Sequence, residues 1–79
     1  MDKVVVRLIK VFRGVFASLV SDEQARDASM AKVREWDSLS HMNLMVALHE
    51  EFDLNNLRPE DFVKLTSFEI ILNYLQGNK

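Results

Sequence analysis

The 79-residue chain reads as an all-α protein, a small bundle built from three main helices and a short one. Three observations predict this. Apolar residues recur at helical spacing over most of the chain, helix-start and helix-stop residues stand at the ends of those runs, and no segment has the period-two alternation of a strand. Apolar residues make up 48% and charged residues 28%, with two glycines and one proline, a balance that favours one folded domain over a disordered or all-β chain. Residues 1–79 hold one small core and one domain.

The first helix is expected from Asp2 to about Leu19. Val4, Val5, Leu8, Ile9, Phe12, Val15, Phe16 and Leu19 fall on one broad face, with Lys3, Arg7 and Lys10 opposite. Residues 20–36 lose that periodicity and read as a long loop with room for one helical turn. A long loop in so small a domain often has a function.

The next helix is expected over Ser38–Phe52, with Asp37 as its N-cap and the turn-forming Asp53, Asn55 and Asn56 after it. Pro59 suits the first position of a short helix ending near Lys64, where Glu60 and Asp61 complement the positive end of the helix dipole. Thr66 and Glu69 form a capping-box pattern for a last helix reaching about Gln76, with Gly77 at C′ and an apolar stripe of Phe68, Ile71, Leu72 and Leu75.

Composition narrows the function. Cysteine is absent, which removes disulfides and thiolate metal sites and fits a reducing compartment. No apolar run is long enough to span a membrane and no secretory leader is recognisable, so the expected location is cytoplasmic. Residues 1–36 carry seven Lys/Arg and five Asp/Glu, a net of +2; residues 37–79 carry three and seven, a net of −4. An acidic second half disfavours nucleic acid and favours a partner with basic groups.

The Ser38–Phe52 segment has two apolar arcs. At about 100° per residue, Leu44, Met45, Leu48 and Phe52 share one arc suited to the core, while Leu39, Met42 and Val46 lie roughly opposite. The second arc is more than docking one helix requires. It is either a partner surface, for which methionine suits adaptable contacts, or is covered by the 20–36 loop.

Ser38 has three readings: an ordinary helix-start residue, a nucleophile, or a modification site. A nucleophile needs a base, and only His41 and His49 exist in the chain; neither comes with a nucleophile elbow. A modification site needs none, and free amides and the dipole at a helix start favour a phosphate there. No catalytic residue and no metal site is expected. His41 reads as an ordinary exposed histidine or one that pairs with such a phosphate.

The segment "DSLSHMNLMVALHEEFDL" resembles the Asp-Ser-Leu motif and second helix of acyl carrier proteins, and "RPEDFVKLTSFEIILNYL" resembles their third and fourth helices. The resemblance covers roughly residues 33–79. It implies an acyl-carrier-type four-helix bundle in which Ser38 carries 4′-phosphopantetheine, donated from coenzyme A by a separate, Mg²⁺-dependent phosphopantetheinyl transferase. The arm's thiol would hold acyl cargo as a thioester and present it to loading and processing enzymes such as a ligase, synthase or transferase.

On the same resemblance, Asp37 belongs to the motif and caps the helix, and Leu39, Met42, Asn43, Val46 and Glu50 fall at partner-binding positions. Leu44, Leu48 and Phe52 would line the core and the space that shelters an acyl chain. The protein would not itself be an enzyme and would act as a monomer, without stable membrane insertion. Ser40, Asn43 and His49 replace acidity usual in this helix, and Trp36 stands where a small residue is common. Both departures point to a specialised lipid or secondary-metabolite pathway rather than bulk fatty-acid synthesis. A D-alanyl or peptidyl carrier and, from another class, an unmodified helical interaction module remain as alternatives.

Overall fold

The computed structural model describes residues 3–54 and 58–77, and its regular elements are five helices. They are α1 (Lys3–Val15), α2 (Asp22–Arg26), α3 (Ser38–Phe52), α4 (Pro59–Lys64) and α5 (Phe68–Leu75). No strand occurs among the described residues. Asp2, Asn55 and Asn56, expected at a helix start and a turn, lie outside them.

α1 is the central element and packs on α2, α3 and α5. Val5, Leu8, Ile9 and Phe12 turn inward from it, as the apolar spacing predicts. The helix ends four residues earlier than expected. Phe16 and Leu19 are still buried, but they reach the core from a turn closed by the Leu19 amide donating to the Phe16 carbonyl. Gly14 weakens the helix near this point, and the Glu35 carboxylate accepts from the Ser18 hydroxyl at 2.6 Å, holding the turn from outside.

The additional helix, α2, falls within the segment that the sequence presents as a long loop with room for one helical turn. Five residues cannot sustain a helix alone; here Ser21 Oγ accepts from the Gln24 amide and Ala25 is buried. The rest of the connection is pinned to the start of α5. Met30 N–H donates to the Thr66 carbonyl and Phe68 N–H to the Ala28 carbonyl, both at 2.9 Å.

That pairing explains a one-residue correction. Thr66 presents its carbonyl to Met30, and it is Ser67, in extended conformation, that caps α5 by accepting from the Ile70 amide at 3.1 Å. Gly77 has φ of 69°, the left-handed conformation expected of a residue at C′.

Aromatic rings organise the core around Phe12. Its ring lies 5.5 Å from Trp36 and 5.1 Å from Phe68, both edge-on, and 6.0 Å from Phe16. Each fully buried ring or leucine contributes about 1.5–3 kcal/mol relative to exposure. At the other end of the α1–α3 contact, the Arg7 guanidinium sits 4.6 Å from the centre of the Phe52 ring and its Nε donates to the Glu51 carboxylate at 2.8 Å. Phe52 is half-buried, whereas Leu44, Met45 and Leu48 are buried as anticipated.

Candidate functional site

Ser38 is exposed and is the first residue of the 15-residue α3. Asp37 before it is extended, and its Oδ1 accepts from the Ser40 amide at 2.9 Å. That helix-start amide, and with it the Ser40 side chain, holds the Asp37 carboxyl below its ordinary value of 3.8. The aspartate thus fixes where α3 begins, and the start of α3 places the serine hydroxyl in solvent.

His41 is the largest departure from the sequence reading. It is neither exposed nor free: it is 5% exposed, and both ring nitrogens are engaged. Trp36 Nε1–H, which can only donate, lies 2.9 Å from His41 Nδ1, so Nδ1 accepts. Nε2 then carries the proton and donates to the Phe62 carbonyl at 2.7 Å. The Trp36 ring stacks on the imidazole at 6.0 Å and Phe62 meets it edge-on at 4.9 Å. With both nitrogens committed, His41 does not serve as a base for Ser38. His49 lies further along α3 with Nδ1 at 3.1 Å from the Leu54 carbonyl.

The second arc of α3 is open. Leu39, Met42 and Val46 are 70%, 56% and 58% exposed, so the 20–36 segment does not cover them. Asn43 and Glu50, the other two residues at partner-binding positions, are exposed as well. Leu44 and Leu48 are fully buried in the packed core.

Ser38 also opens onto a cleft of about 360 Å³ between α3 and α4, lined by Met30, His41, Met42, Phe62, Val63 and Thr66. Sequence alone singles out none of Met30, Phe62 and Val63, and marks Thr66 only as a helix cap. The available signal was the Phe62-Val63 pair: neighbours on a short helix cannot both face the core, and Val63 is 68% exposed. A larger groove of about 610 Å³ runs along α1 beside Val6, Lys10 and Gly14, away from Ser38 and the residues of its cleft. Among the described residues no helix is long and apolar enough to cross a membrane.

In comparisons with known proteins, no family model and no curated protein matches the chain.

Proposed function

We propose that this protein is a carrier whose Ser38 holds a 4′-phosphopantetheine arm and whose α3 presents the cargo to partner enzymes, the five helices forming a bundle of acyl-carrier type. The observation that carries this reading is Ser38 itself, a solvent-exposed hydroxyl at the start of a capped helix, beside a histidine whose two nitrogens are both committed elsewhere. A hydroxyl so placed is accessible to another protein's active site and has no base of its own. That favours an acceptor of a group over a catalyst.

The residues fit the group. The hydroxyl is unobstructed, the amino end of α3 favours an attached phosphate, and the apolar cleft beside Ser38 suits the dimethyl-bearing segment that follows the phosphate in pantetheine. In the loading step a bond forms between Ser38 Oγ and the phosphorus next to pantetheine in coenzyme A. The pyrophosphate P–O bond breaks, the adenosine bisphosphate leaves, and the serine proton passes to the transferase. When attached, the arm supplies the thiol that holds cargo as a thioester.

The protein's own residues then do three things. Asp37 keeps the start of α3 formed, so that Ser38 stays at its tip. Leu39, Met42 and Val46 offer an exposed apolar stripe to the transferase and to enzymes that load or process cargo, with Asn43 and Glu50 as polar neighbours. Arg7, by engaging both Glu51 and the face of Phe52, ties the far end of α3 to α1 and leaves Glu50 exposed.

The test is the peptide containing Ser38 from protein purified from its native host, analysed by mass spectrometry. A phosphopantetheine increment, with or without thioester-bound cargo, is expected; a peptide that is always unmodified would contradict the assignment.

A further inference from the structure

The junction beneath Ser38 is shut by hydrogen bonds as well as by packing. His41 lies one helical turn from Ser38 and joins Trp36 to the backbone of α4 through Nδ1 and Nε2, at 2.9 and 2.7 Å. Behind it the Trp36 ring, 2% exposed, lies 5.5 Å from Phe12 and 5.3 Å from Phe16. A chain passing from Ser38 toward Leu44 and Leu48 would have to part Trp36 from His41, or His41 from Phe62. Parting Trp36 from His41 strands an indole N–H and a ring nitrogen in an apolar interior, and parting His41 from Phe62 breaks a part-buried hydrogen bond. The cleft onto which Ser38 opens has His41 as one of its walls and lies at the surface, between Met42 and Val63.

We propose that the hydrogen-bonded Trp36–His41–Phe62 unit closes the bundle to cargo, so that the protein takes short or polar acyl groups that stay outside its core and does not shelter a long aliphatic chain between its helices. Trp36 and His41 are then specificity-determining residues. This rests on the carrier reading above and names the class of cargo that reading leaves open. On this proposal Leu44, Leu48 and Phe52 serve the core and not a space for acyl groups: Leu44 and Leu48 are fully buried, and the face of Phe52 is taken by Arg7.

The test loads the protein separately with butanoyl- and dodecanoyl-phosphopantetheine, using the corresponding coenzyme A thioesters and a broad-specificity transferase, and confirms each adduct by intact mass. Isotope-filtered NMR then reads contacts between a ¹³C-labelled acyl chain and the methyl groups of Leu44 and Leu48, and thermal unfolding is measured for both forms. The expected result is no chain-to-core contact for either cargo and equal melting temperatures. Trp36→Leu is expected to admit the dodecanoyl chain, giving contacts to Leu48 and a melting temperature that rises with chain length. Dodecanoyl contacts to Leu44 or Leu48 in the unsubstituted protein would overturn the proposal, a result that needs no variant to fold. Failure to form either adduct is visible in the mass before any chain is located, and would overturn the carrier reading together with this inference.

Discussion

Replacing His41 with leucine tests whether the buried link beneath Ser38 holds the fold together. Leucine restores most of the apolar bulk, so the effect falls on the two partners left behind: the Trp36 Nε1–H and the Phe62 carbonyl. A buried polar group stripped of its partner costs about 1–3 kcal/mol; the Trp36 Nε1–H bears that in full, while the Phe62 carbonyl is part-buried beside the cleft, so His41→Leu should lose about 1–3 kcal/mol. Small domains have only about 5–15 kcal/mol in total, and for this size each kcal/mol moves the melting temperature by about 4–8 °C. A fall of at least about 4 °C in thermal unfolding followed by circular dichroism is therefore expected.

The double variant sharpens the test. Trp36→Phe alone leaves His41 Nδ1 without a donor, whereas Trp36→Phe with His41→Leu leaves only the Phe62 carbonyl unmatched. The double variant should thus be at least about 2 kcal/mol less destabilised than the sum of the singles. A fall of less than about 4 °C for His41→Leu, or simple additivity in the cycle, would refute the reasoning and show that water reaches these groups.

The remaining predictions concern the start of α3, the docking stripe and α1. Asp37→Ala should lower the melting temperature at neutral pH. Because the folded-state value of Asp37 lies below its ordinary 3.8, its contribution is present above that pH and is lost as pH falls through the lower folded value; the gap between wild type and Asp37→Ala should close only below pH 3.8. A gap that closes nearer neutrality would point to another group. Met42→Glu should slow loading by the transferase while melting temperature and helical content stay nearly unchanged, since Met42 is more than half exposed; a large loss of stability would place the stripe in the core. Gly14→Ala should stabilise α1 by about 0.5–1 kcal/mol, read by denaturant unfolding, because nothing lies within 4 Å of the added methyl group.

What was legible in the sequence was what local chemistry decides. Asp37 and the stripe behind it marked α3 as Ser38–Phe52, and Pro59 marked the first residue of α4. Gly77 sits where the stripe of α5 runs out, with the backbone conformation that position favours. What was not legible depends on partners distant in the chain. α1 stops at Val15 although its apolar spacing continues, because Ser18 is held by Glu35. Ser67 rather than Thr66 caps α5 because the Thr66 carbonyl is engaged by Met30.

The site divides in the same way. The positions of Ser38, Leu39, Met42 and Val46 followed from the period of a single helix, and all four are exposed. His41 falls on the same arc as Leu44, Met45, Leu48 and Phe52, so the helical period was the signal for its burial; only its partners, Trp36 five residues away and Phe62 on another helix, lie beyond that period. Trp36, which looked anomalous beside the serine, is a core residue that packs on Phe12 and Phe16 and donates to that histidine.

The central claim is that Ser38 is an attachment point, and the most direct measurement is the intact mass of the protein after incubation with coenzyme A, Mg²⁺ and a broad-specificity phosphopantetheinyl transferase. The account predicts a single phosphopantetheine increment on the unsubstituted protein and none on Ser38→Ala. An unchanged mass for the unsubstituted protein, or an increment that survives Ser38→Ala, would contradict it.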